Sequence, residues 1–225
     1  MNFLSHFYFD RYSDNPERVM GLVLPDLLKN ACKDWSPRPE KFESFYTDNP
    51  VHNIYSGWKR HILVDKYFHC SDFFLHHTKN IRIAISPFLK TSPAKPFFIA
   101  HIALELMLDS LLLTEVKIDT ALFYSHLNHV DKIALNNFLE INKINDQTIF
   151  YSFLEKFIEA QYLESYRDPE RITYALNNIC KRLWDNPFTE VQKLQLTGVV
   201  IDYLEKFKGD LTGIFGEIER RLDVV

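Results

Sequence analysis

Apolar residues recur at three- and four-residue spacing along nearly the whole chain, and runs of alternating β-branched residues are few. That pattern predicts an all-α fold. Helices are expected around His6, from Pro16 (with Asn15 as N-cap) to about Leu28, over Glu40 to Thr47, over Val51 to Phe74 and over His77 to Phe88. Prolines punctuate this half: Ser36 to Pro39 reads as a loop, and Lys90 to Pro96 as a loop that delivers a helix over Phe97 to Leu113. Its sequence, FFIAHIALELMLDSLLL, is apolar nearly all round, which places it at the centre of a core. Amphipathic helices are then expected over Asp119 to Asn142, Asp146 to Ser165, Asp168 to Trp184, Thr189 to Phe207 and Asp210 to Leu222, several opening on an Asp or Thr that can cap the first turn. The expectation is a single-domain helical bundle over 1–225, with chemistry in 1–113 and packing helices in 119–225.

The polar residues that interrupt apolar faces carry the chemistry, because burying them is costly unless something pairs with them. His61, Asp65 and His69 stand at i, i+4 and i+8 on one stripe of a predicted helix, and His101, Glu105 and Asp109 repeat that spacing on the apolar one. Imidazole and carboxylate together suit a divalent ion such as Mn, Fe, Zn or Mg, and two such stripes can face each other across a helical core. His6, and Asp26 just after the helix-disturbing Pro25, complete the candidate ligands. The expected metal set is His6, Asp26, His61, Asp65 and His101, with His69, Glu105 and Asp109 as further candidates. Asp65 or Glu105 would be the general base, and Lys59 or Arg60 could position a phosphate. His76, His77, His126 and His129 read as surface or helix-end residues.

Charge narrows the partners. The chain carries a formal −4 at a sequence pI near 6.1, without the basic excess that neutralises nucleic-acid phosphates. The stretch from Phe73 to Leu104 is the exception: it holds Lys79, Arg82, Lys90 and Lys95 and no acidic residue, so the remainder carries −8 against −4 for the whole. An acidic partner could dock there. Cys32, Cys70 and Cys180 are far apart and form no CxxC pair, which argues against a disulfide framework and reads as small buried hydrophobes. The opening residues lack a basic segment followed by an apolar run, and no later segment is read as spanning a bilayer, so a cytoplasmic location without membrane contact is expected.

The order of these residues resembles the acyl-carrier-protein phosphodiesterase family, over about the first 110 positions. Asn2-Phe3-Leu4-Ser5-His6 is similar to that family's NFLAH start, Gly21 and Asp26 to its GNxxxDF segment, and Gly57 through His61 with Asp65 to its GIxxHRxID segment. His101 and the helix after it are similar to its DHFLA segment. The sequence departs at Leu22, Ile62, His69 and Ala100, where the family has Asn, Arg, an acidic residue and Asp. The resemblance implies an HD-domain-like helical core and a metal-dependent phosphohydrolase that cleaves phosphopantetheine from holo acyl carrier protein, a strongly acidic substrate. The departures at Leu22, Ile62 and Ala100 support a contrasting expectation, a helical binding or scaffold protein that kept the fold without the catalysis.

Overall fold

The computed structural model describes residues 1–116 and 118–224, and among these there is no β-strand. The fold is all-α. Helices α1 (Phe3–Tyr8), α2 (Pro16–Ala31), α3 (Asn49–His69), α4 (Asp72–Ile85), α5 (Pro96–Leu111), α6 (Thr120–His129), α7 (Lys132–Ile141), α8 (Thr148–Ala160), α9 (Pro169–Lys181), α10 (Glu190–Phe207) and α11 (Leu211–Leu222) are joined by turns and by 3₁₀ segments at Pro39–Phe45 and Tyr162–Arg167.

Local capping accounts for most of the boundaries. Asn15, Asp168 and Thr189 accept backbone N–H groups of the first turns of α2, α9 and α10 as the sequence predicts, and Thr189 forms a reciprocal capping box with Gln192. Three predicted helices are interrupted: the expected Asp146–Ser165 helix stops at Ala160, where Gln161 turns left-handed at φ 43°, and resumes as the 3₁₀ segment Tyr162–Arg167, while the other two are broken by a cap. The Ser71 hydroxyl donates to the Phe68 carbonyl at 2.6 Å and accepts from the Phe74 N–H at 3.1 Å, ending α3 and starting α4 inside the expected Val51–Phe74 helix. Asp131 accepts from the N–H groups of Ile133 and Ala134, which separates α6 from α7 inside the expected Asp119–Asn142 helix. In both cases the short polar side chain offers the backbone a better partner than helix continuation does.

The chain forms two compact units. One comprises Met1–Ser5, Lys66–Lys117 and Leu163–Val225, and is built around α5, which packs on α4, α9 and α10. Ile99, Ala100 and every residue from Ala103 to Leu113 are buried, in keeping with an apolar sequence that has no face to give to water. The continuous helical stretch Pro96–Val116 is, contrary to the sequence expectation, long and apolar enough to cross a membrane; 67% of its apolar window is buried inside the protein, as a core helix requires. Asp109, near its end, binds the start of α1. Its carboxylate accepts from the N–H groups of Leu4 (3.1 Å) and Ser5 (2.8 Å), the Ser5 hydroxyl (2.6 Å) and the Asn2 amide (2.9 Å). A residue more than a hundred positions away thus serves as the N-cap of α1.

The other unit comprises His6–Asp65 and Ile118–Tyr162, with α2 packed on α6 and α8. Here α2 and the first part of α3 cross in backbone contact. A Cβ on Gly21 would lie 2.0 Å from the Ile54 carbonyl oxygen, and one on Gly57 2.1 Å from that of Arg18, so both positions exclude any side chain. Asp10, after α1, binds Arg18 of α2 and Arg60 of α3 at 2.7 and 2.6 Å, tying the three helices together. His126, expected at the surface, is buried against Phe7. Of the cysteines only Cys180 is fully buried; Cys70 is exposed and Cys32 half-buried, so the expectation of three buried hydrophobes holds for one.

Candidate metal centres

Among the described residues, two groups of three side chains bring their ligand atoms within 4.8 Å of one another: His6, His61 and Asp65, and His69, His101 and Glu105. Atoms bonded to one first-row divalent ion at roughly 2.0–2.2 Å lie about 3.0–3.5 Å apart, which is the scale against which each group is measured.

In the first group the His6 and His61 rings stack with centroids 3.8 Å apart and planes 17° from parallel. His6 Nε2 is 3.3 Å from Asp65 Oδ1, and His61 Nε2 is 3.6 Å from Asp65 Oδ2. One nitrogen of His61 is committed: Nδ1 lies 2.7 Å from the Leu22 carbonyl oxygen and must donate to it, which aims Nε2 at Asp65. Pro25 lies three residues on in α2, and its missing N–H leaves the carbonyl of Gly21, next to Leu22, without its helical donor. His6 is wholly buried, and neither ring nitrogen has a hydrogen bond of good geometry. Burial first, then the neighbouring His61, lowers its pKa to about 4. Burial pushes the Asp65 carboxyl up, but the positive charge of the chain's amino group, followed by His6 and His61 beside it, holds it below the usual carboxylate range. A buried imidazole, a second one anchored through Nδ1 to a backbone carbonyl and an ionised carboxylate form a donor set that fits a divalent cation. Asp65, 30% exposed, is the member open to solvent.

The second group is a nearly equilateral triangle. His69 Nε2 lies 3.1 Å from His101 Nε2 and 3.2 Å from Glu105 Oε1, and His101 Nε2 lies 2.9 Å from the same oxygen. The Met1 amino nitrogen is 3.0 Å from that oxygen as well. Glu105, like Asp65, is raised by burial, yet the Met1 amino group and the hydrogen bonds from His101 and His69 hold it below its usual range. The histidines are about one-third exposed, at 31% and 38%. His101 also forms one wall of an open groove of about 340 Å³, lined besides by Phe74, Leu75, Thr78, Lys79, Arg82 and Phe97.

The expected single set of ligands is therefore divided. His6, His61 and Asp65 meet in one group, and His101 meets His69 and Glu105 in the other. Asp26 is half-buried on α2 and is not among the three residues that meet in either group. Asp109 is not a ligand candidate but the cap of α1, with both oxygens occupied. The cations expected to position phosphate have partners: Arg60 binds Asp10 and donates to the Phe9 carbonyl at 2.9 Å, and Lys59 pairs with Glu43 at 3.0 Å. Sequence reasoning did not find the Leu22 carbonyl that orients His61; Pro25 three residues on was its only local signal. No family model matches the chain, and neither does any curated protein or solved structure.

Proposed function

We propose that this protein is a metal-dependent phosphoric ester hydrolase whose ion is held by His6, His61 and Asp65. The observation that carries the reading is the fully buried His6 ring, which has no hydrogen-bond partner of good geometry and sits within 3.3 Å of an ionised carboxylate; such a group is costly to bury unless a cation completes it. A divalent ion bound there would lower the pKa of a coordinated water toward neutrality and polarise a phosphoryl oxygen. The chain's own part is to fix the donors: the Leu22 carbonyl anchors His61 through Nδ1, the stacked rings hold each other in register, and Asp65, as the exposed member, takes the proton of the attacking water. For substrate we propose a phosphodiester on an acidic partner, with the phosphopantetheine linkage of holo acyl carrier protein as the specific case. Lys79, Arg82, Lys90 and Lys95 are all exposed and face no acidic residue within their stretch of sequence, which supports that choice. We place the activity in the cytoplasm, a reading supported by the burial of the most apolar helix and by cysteines that are all unpaired.

The test is ion content together with hydrolysis. Purified protein loaded with Mn²⁺ should release p-nitrophenol from bis(p-nitrophenyl) phosphate and phosphopantetheine from holo acyl carrier protein, and Asp65→Asn, which removes an ion ligand together with the proton acceptor, should lose at least about 100-fold in rate. A folded protein that takes up no ion and turns over neither substrate supports the scaffold reading instead.

A further inference from the structure

We propose that His69, His101 and Glu105 form a second divalent-cation site, independent of the first, that keeps open coordination positions for an anionic oxygen ligand such as a phosphate group in the adjoining groove.

Three features of this triangle point the same way. Its edges of 2.9, 3.1 and 3.2 Å fall within the spacing of ligand atoms around one ion. An ion bonded to all three would keep at least one further coordination position, and the Met1 amino nitrogen, 3.0 Å from the shared Glu105 oxygen, is the group that competes with it there. Second, the atoms satisfy one another poorly. Both Nε2 atoms approach the same oxygen, so if each donates a proton to it the two N–H groups crowd each other at 3.1 Å, and if only one does, the other nitrogen turns a lone pair toward the carboxylate. A cation removes that conflict by accepting from all three. Third, the histidines are open to solvent, and the His101 ring belongs to the wall of a groove that also carries Lys79 and Arg82. A metal ion beside two fixed cations favours a ligand with negatively charged oxygens, while Phe74, Leu75 and Phe97 offer apolar contact to whatever that anion is attached to.

Nothing in this site draws on the first group of ligands. His69 ends α3, and His101 and Glu105 stand one turn apart on α5. Failure of one site therefore leaves the other standing, and the experiment separates them by ion count. Equilibrium dialysis of the full chain against Co²⁺, with the visible absorption of the bound ion recorded, should give two ions per chain for the wild type. His101→Ala and Glu105→Gln should each lose one, Asp65→Asn should lose the other, and His52→Ala, an exposed position on α3, should lose neither. Far-UV circular dichroism checks that each variant is folded, and Glu105→Gln keeps the side-chain volume where truncation could disturb packing. If His101→Ala and Glu105→Gln bind as much Co²⁺ as the wild type, the second site does not exist; an unchanged count in Asp65→Asn counts instead against the first. Inorganic phosphate should shift the Co²⁺ absorption of the Asp65→Asn protein, with an affinity about tenfold weaker once Arg82 is also changed to Ala, as for loss of one charged contact. A spectrum that phosphate leaves unchanged overturns the open-position part of the proposal.

Discussion

The two groups of candidate ligands each combine two imidazoles with one carboxylate, in opposite settings. His6 and His61 are buried, one ring stacked on the other and His61 pinned by a backbone carbonyl. His69 and His101 are about one-third exposed, and His101 stands in the wall of a groove that also carries Lys79 and Arg82. The first has its geometry imposed by helices whose backbones touch; the second stands on the end of one helix and the accessible turn of another. Rigidity and access are thus divided between two places, so a substitution that loosens one crossing should affect one group and spare the other.

The largest effect is expected at that crossing. Gly57→Ala puts a methyl group 2.1 Å from the Arg18 carbonyl oxygen and 2.8 Å from the Leu22 nitrogen, both backbone atoms that cannot turn aside. The helices must part, and we expect a loss of at least about 4 kcal/mol in urea unfolding. Ion binding at the proposed His61 site, one turn further on, should be lost with it, while binding at the proposed His101 site survives in whatever fraction remains folded. Loss of both ions from folded protein would break the comparison.

Next in size is Leu108→Ala in the centre of α5, expected to cost about 3 kcal/mol through lost burial and the cavity left behind. A cost below about 1 kcal/mol would show that α5 is not the core of its unit.

Acid should act mainly through the buried group. In ion-free protein, His6 titrates near 4 rather than at its ordinary 6.5. Because the folded-state value is the lower one, the unfolded chain binds the proton first. The stability this neutral ring confers is fully present above pH 6.5 and is lost as pH falls through 4, to the extent of about 3 kcal/mol. After chelation, the wild type should lose about 3 kcal/mol more unfolding free energy than His6→Gln between pH 7 and pH 4; the raised Asp109 carboxyl, which gains stability as it takes up its proton over the same range, acts alike in both proteins. An equal decline in the His6→Gln protein would assign the acid sensitivity elsewhere.

The smallest effect concerns the cap. Asp109→Ala leaves the Leu4 and Ser5 donors without their acceptor, which costs about 2 kcal/mol. Part of that is offset because burial raises the Asp109 carboxyl to about 7, so an ionised group is removed from a poor solvent. Hydrogen exchange of the Leu4 and Ser5 amides should speed up markedly; unaltered exchange would mean that α1 needs no partner.

Much of this was legible in the sequence, and what was not has a physical reason. Periodicity and capping residues reveal the helices, including the buried α5, because both signals are local. The breaks at Ser71 and Asp131 escaped because a polar residue inside an amphipathic run reads equally well as part of its solvent face. The stripes His61-Asp65-His69 and His101-Glu105-Asp109 were found, but residues eight apart lie about 12 Å apart along a helix axis, so the two ends of a stripe cannot ligate one ion. The spacing correctly gave the pairs His61/Asp65 and His101/Glu105, whereas the third member of each group depended on tertiary packing. Asp109 had no local signal at all, because its partners are more than a hundred residues away.

That distance also bears on the order of assembly. At six residues α1 is too short to nucleate by itself, and the acceptor for its first amides arrives only with residue 109. A growing chain must therefore present α5 before His6 has a settled helix to stand on, and the group of His6, His61 and Asp65, whose first member is made earliest, is completed late. In refolding followed by pulsed hydrogen exchange, the amides of Leu4 and Ser5 should gain protection in the same phase as those of α5, and not before it.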